Sequence, residues 1–94
     1  MNRRSDDYYR DLESRLRELL TEVSDLVAQE QFIEVEQFIV HAEYGLALTW
    51  LAGSLIDGEA VVPELVRSHI VDAADAMGIR DELPEAIRVT SPEV

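Results

Sequence analysis

Few residues in this chain have the type and spacing to do chemistry. Two histidines, His41 and His69, each have a carboxylate close by in sequence, Glu43 and Asp72. Either pair would supply two ligands of a metal site. Neither has the HExxH spacing or the clustered donors of a closed zinc site, so a surface or boundary histidine is the ordinary reading of both. Carboxylate pairs recur at Glu34 with Glu36, Asp72 with Asp75, and Asp81 with Glu82. General acid–base catalysis needs such a carboxyl held in a cleft with a shifted pKa. On a small helical protein these pairs read instead as solvated faces. Ser54, in Ala-Gly-Ser-Leu-Ile, falls inside a helical pattern and lacks the strained turn of a GxSxG nucleophile. There is no glycine-rich phosphate loop and no calcium-binding loop with ligands at the required positions. The absence of cysteine removes disulfides and thiolate ligands. No metal and no cofactor is expected, and an enzyme is the least supported class.

Charge is more informative. The 94 residues include 8 basic and 20 acidic side chains, a net charge of −12, and every basic residue is arginine. Residues 1–20 balance five arginines against five acids, whereas residues 21–94 set three arginines against 15 acids and carry the entire excess. That field repels phosphate backbones and anionic membranes, which argues against a helix-turn-helix reader of DNA. It suits a basic partner, because opposite potentials speed encounter. The candidate contact residues are Glu34, Glu36, Glu43, Asp57, Glu59, Asp72 and Asp75, with Tyr44 beside Glu43 as an aromatic anchor of the kind enriched at interface hot spots. For any one of them a hydrated helical surface is the ordinary alternative. Residues 1–30 are polar and lack the apolar core of a signal peptide. No apolar run approaches a membrane span. The expectation is a cytoplasmic protein with neither a nucleic-acid nor a membrane partner.

The elements that position these residues read as all-α: one domain over residues 1–94, an antiparallel bundle of about four helices plus a short C-terminal turn. Leu12, Leu16, Leu19, Leu20, Val23, Leu26 and Val27 form one stripe of a helix over about residues 6–28, with Ser5, Asp6 and Asp7 at its start. Asp6–Arg10, Asp11–Arg15 and Glu13–Arg17 have the favourable i, i+4 order. Gln29-Glu30-Gln31 is the place for a turn or kink. Phe32, Val35, Ile39 and Ala42 define a second helix that ends near Val40 or His41. A third, over about residues 43–57, carries Leu46, Ala47, Leu48, Trp50, Leu51, Leu55 and Ile56 around most of its circumference, the pattern of a buried central helix. Trp50 in that core predicts a cost of about 3–5 kcal/mol for Trp50→Ala. Gly45 and Gly53 share a face suited to close helix approach, and Gly58 fits the position just past the helix end. After an extended connector at residues 59–62, Pro63 opens a fourth helix over about residues 63–77, with Val66, Ile70, Ala73, Ala74 and Met77 inward. Gly78 ends it, and Ile79 supplies the apolar contact of a Schellman cap. Pro84 to Arg88 form one more helical turn. Residues 1–5 and 89–94 are expected to fray.

The segment Glu43-Tyr44-Gly45-Leu46-Ala47-Leu48-Thr49-Trp50-Leu51 resembles the E-[YW]-G-L-A-L-x-x-L core of the small helical MafI-like immunity proteins, which are encoded with secreted or contact-dependent bacterial toxins. The apolar Phe38-Ile39-Val40 before it, Val61-Val62-Pro63 after it, and a helix ending in Ala76-Met77-Gly78-Ile79 follow the same order. The likeness covers roughly residues 32–80. Thr49 and Trp50 stand where members often have an acidic residue, and His41-Ala42 where glycine or asparagine is common. The resemblance implies a protein that binds and neutralises a cognate toxin domain, typically a basic nuclease, by docking over or beside its active site. It carries no toxin-contacting residue across by position. The alternatives are an acidic helical adaptor or dimerising regulator, in which helix one meets a second copy, and a DNA mimic that binds another basic protein. A monomer or weak homodimer is expected.

Overall fold

An apolar stripe of Leu12, Leu16, Leu19, Leu20 and Val23 opens the fold. In a computed structural model, which describes residues 3–88 and their side chains from Asp7 onward, the stripe runs along α1 (Arg3–Glu22) and just past its end. None of these five side chains is more than 4% exposed. Then come α2 (Gln29–Val40), α3 (Tyr44–Asp57), α4 (Glu64–Met77), a single 3-10 turn at Arg80–Glu82, and the short α5 (Glu85–Arg88). There is no strand among the described residues, so the fold is an all-α bundle as expected.

Cross-helix contacts give its sense. The Tyr8 hydroxyl donates to the Ala76 carbonyl at 2.7 Å, and Glu22 lies 3.4 Å from His69, so α1 runs antiparallel to α4. Gln31 pairs with Ser54, and Phe38 packs on Trp50, so α2 and α3 form an antiparallel hairpin. Ala47, Leu48, Leu51, Ala52 and Leu55 of α3 occupy the centre of the core, against Leu16 and Val23, Val35 and Ile39, Ile70 and Ala74, and Ile87. Arg67 fastens the C-terminal turn: its guanidinium donates to the Ile87 carbonyl at 2.9 Å and to Glu64 at 2.6 Å.

Several boundaries differ from the periodicity. α1 begins at Arg3, so Ser5 lies inside the helix rather than capping it, and Asp6 and Asp7 follow within it. Of the stretches expected to fray, residues 1–2 and 89–94 lie outside the described residues, as does the Asp6 side chain of the expected Asp6–Arg10 pair. α1 stops at Glu22 and the chain turns through residues 23–28, with Leu26 N–H donating to the Val23 carbonyl at 2.7 Å. Leu26 and Val27 still pack on the core, which is why the stripe continued through them. Ser24 and Asp25 favour the turn, since their short polar side chains compete for backbone hydrogen bonds. Gln29-Glu30-Gln31, expected as the break, is the first turn of α2.

Three helices end in Schellman geometry. After α4 the Gly78 N–H donates to Asp75 and the Ile79 N–H to Ala74, with Gly78 at φ 71 and Ile79 packed on the core, as the sequence indicated. After α3 the same bonds run from Glu59 to Ile56 and from Ala60 to Leu55. Glu59, at φ 54, holds the left-handed position expected of Gly58, which stays at φ −83. The reversal is fixed by Ala60 and Val62 reaching the core. After α2 the left-handed residue is Ala42, at φ 60.

Candidate partner-binding surface

Between Arg17 and Arg67 the chain contains no arginine or lysine. The α2–α3 hairpin lies wholly inside that interval. Its carboxylates, Glu30, Glu34, Glu36, Glu43 and Asp57, take part in no ion pair among the described residues. The ion pairs lie elsewhere: Asp11–Arg15 and Glu13–Arg17 on α1, both at 3.0 Å, Glu64–Arg67 on α4, and Asp75–Arg80 at its end, while Glu22 contacts the His69 ring between α1 and α4 at 3.4 Å. The arginine ion pairs among the described residues thus lie on α1, on α4 and just past its end, and none lies on the hairpin, although Glu18 and Asp72 between α1 and α4 take part in none either.

The same hairpin displays large apolar side chains to solvent. Ile33 and Val40 on α2 and Leu46, Trp50 and Ile56 on α3 are all exposed. Trp50 was expected in the core. It is 46% exposed because α3 turns Ala47, Leu48, Leu51, Ala52 and Leu55 inward, which places Leu46, Trp50, Gly53 and Asp57 on the opposite stripe. Phe38 backs the indole, with ring centroids 5.5 Å apart. Ser54, 7% exposed, binds Gln31 across the hairpin and the Trp50 carbonyl at 2.8 Å, which holds the register of the two helices.

The expected contact residues do not form one surface. Glu34 is exposed, one turn before Phe38 on the same side of α2. Glu43 precedes α3; its N–H donates to the Phe38 carbonyl at 2.8 Å, while its carboxylate makes no cap bond and faces solvent. Asp57 ends the exposed stripe of α3, and Glu59 follows in the left-handed turn. Glu36 is half-buried on another side of α2, in line with Phe32. Tyr44 turns away towards α1, where its ring lies 6.3 Å from that of Tyr9. Burial, and then the Glu13 carboxylate, raise its phenol pKa against the opposing pull of Arg17. Asp75 is clamped by both nitrogens of an Arg80 fork at 2.7 Å, which holds its carboxyl below the usual range. Asp72 lines a separate cleft of about 270 Å³ between α1 and α4, with Arg15, Glu18, Leu19, Glu22 and His69.

Trp50 and Leu46 are the residues that periodicity missed. The departure at Thr49-Trp50 from the acidic position of the resembled motif was the available signal. Among the described residues no group of three or more histidine or acidic side chains is placed to hold a metal ion. His41 Nδ1 instead contacts the Gln37 carbonyl at 2.8 Å. No helix among them is long and apolar enough to cross a membrane. The chain matches no protein-family model, no curated protein and no solved structure.

Proposed function

We propose that this chain is a non-enzymatic immunity protein that binds and neutralises a basic toxin domain, a nuclease by the resemblance at Glu43 to Leu51, in the cytoplasm of the cell that makes it. One observation carries the reading: uncompensated carboxylates and exposed large apolar side chains occupy the same α2–α3 hairpin. Carboxylates with no partner of their own attract a cationic surface from a distance and accelerate association. Trp50 and Leu46 then supply the apolar contact whose desolvation slows dissociation. A toxin surface that holds nucleic acid must be basic, so an acidic hairpin seated there excludes the substrate.

A dimerising regulator built on helix one finds less support. Leu12, Leu16, Leu19 and Leu20 are already covered by the chain's own core. Two copies meeting through the hairpin would bring like charges together. A DNA mimic uses the same acidity, and the identity of the partner separates it from immunity.

The proposal requires a toxin domain encoded beside this gene, and the test is co-expression with it. Cells carrying both survive, and cells carrying the toxin domain alone die. Equal killing with and without this protein would overturn the proposal.

A further inference from the structure

Three tyrosine rings gather where α1 meets the start of α3. The Tyr9 and Tyr44 centroids lie 6.3 Å apart with planes at 35°, and Tyr8 meets Tyr9 edge-on, at 5.2 Å and 66°. Tyr9 is 53% exposed, while Tyr44 is half-buried and packs on the core. Tyr8 differs from both. Its hydroxyl is engaged by the Ala76 carbonyl at 2.7 Å. As the helix neighbour of Tyr9, it also leaves the backbone about 100° further around the axis. The Tyr9–Tyr44 contact therefore joins two helices that are distant in sequence, with one ring open to water and the other held beside it. Such a pair contributes packing energy. Two phenols in reach of each other also share an oxidative chemistry that the Phe38–Trp50 pair lacks.

We propose that Tyr9 and Tyr44 form an oxidative cross-linking site, at which a one-electron oxidant joins the two rings as dityrosine and staples α1 to α3. Each phenol gives one electron to the oxidant and its hydroxyl proton to water. The two phenoxyl radicals couple between ring carbons adjacent to the hydroxyls, forming one C–C bond. Each coupled carbon then loses its proton as its oxygen regains one, which restores both phenols. The chain ends lighter by two hydrogens, and two equivalents of oxidant are reduced. The chain has no cysteine, so no disulfide can brace it. Like a disulfide, the staple constrains the unfolded chain by closing the loop from residue 9 to residue 44.

The full chain, kept dilute, is photo-oxidised with a ruthenium tris-bipyridine complex and persulfate, then digested with trypsin and analysed by mass spectrometry. Cleavage at arginine places Tyr8 and Tyr9 in the peptide 5–10 and Tyr44 in the peptide 18–67. The expected product is a monomer lighter by two hydrogens in which these two peptides are joined. Tyr9→Phe and Tyr44→Phe each abolish the joined peptide, whereas Tyr8→Phe keeps it. Should Tyr44→Phe fail to fold, Tyr9→Phe, which alters an exposed ring, decides the matter alone. The same treatment in urea loses most of the joined product, because the rings part on unfolding. The stapled chain melts higher by about 10 °C, the scale of a disulfide that closes a loop of this length. Oxygen added at Trp50 or methionine without a joined peptide, a joined peptide that survives Tyr9→Phe, equal yield in urea, or a stapled chain that melts no higher would each overturn the inference. None of these results depends on what the chain binds.

Discussion

The Trp50 indole leans on the Phe38 ring across the α2–α3 hairpin, centroids 5.5 Å apart and planes at 58°. The pair orders a large aromatic group while 46% of Trp50 stays in water. A tilted aromatic contact of this kind contributes about 0.5–1.5 kcal/mol beyond the area it buries. A pre-positioned aromatic loses little entropy when a partner covers it, which is the property of an interface anchor.

Trp50→Ala therefore costs the fold about 1–2 kcal/mol, well below the 3–5 of a core tryptophan. Urea denaturation followed by circular dichroism measures it. A loss beyond about 3 kcal/mol would place the ring in the core.

Ala42 at φ 60 and Glu59 at φ 54 occupy left-handed positions at the ends of α2 and α3. A side chain there costs about 1–2 kcal/mol, and glycine returns part of that gain as unfolded-state entropy. Ala42→Gly and Glu59→Gly should each stabilise by about 0.5–1 kcal/mol, and Gly78→Ala should destabilise by about 1 kcal/mol. Thermal melts at neutral pH decide all three.

These left-handed positions also mark the limit of what the sequence disclosed. Gly78 announced its own conformation, because glycine is the default residue past a helix end. Ala42 and Glu59 gave no such sign; packing of the residues after them forces the reversal. The α1 stripe was legible from Leu12 to Leu20 because each leucine falls at helical spacing. It misled at Leu26 and Val27, which reach the same core from a turn. Trp50 was assigned inward on hydrophobicity alone, a criterion blind to a helix that buries alanines and leucines and exposes its aromatic. The acidity of the hairpin was readable as residue counts. That Asp75 and Glu64 are neutralised while Glu34 and Asp57 are not required the fold.

The Asp75–Arg80 clamp makes a signed pH prediction. The Arg80 guanidinium lowers the Asp75 pKa in the folded state. The bond therefore stabilises above the unfolded-state value and is lost as pH falls through the depressed folded value. Asp75→Asn should melt below wild type at neutral pH, with the gap closing on acidification. The clamp is solvent-exposed, so the gap is small. A gap that widens towards acid would contradict the assignment.

Arg67 ties α4 to α5 through the Ile87 carbonyl. Replacing it with methionine keeps the aliphatic stem and removes the donors. Arg67→Met should cost about 1–3 kcal/mol, the scale of hydrogen bonds to a charged group. Amide exchange should rise in residues 85–88 before it rises in α3. Uniform protection across both would show that the C-terminal turn is held by its apolar contacts alone.

The central claim is that the α2–α3 hairpin, rather than the α1–α4 cleft, meets the proposed basic partner. Surface plasmon resonance with the proposed partner, a basic toxin domain that no longer kills cells when paired with this chain, tests it through two single variants, Trp50→Ala on the hairpin and Asp72→Asn in the cleft. The account predicts that Trp50→Ala weakens binding by about 30-fold or more, chiefly through faster dissociation, and that Asp72→Asn binds as wild type does. Wild-type affinity in Trp50→Ala together with a loss in Asp72→Asn would contradict it.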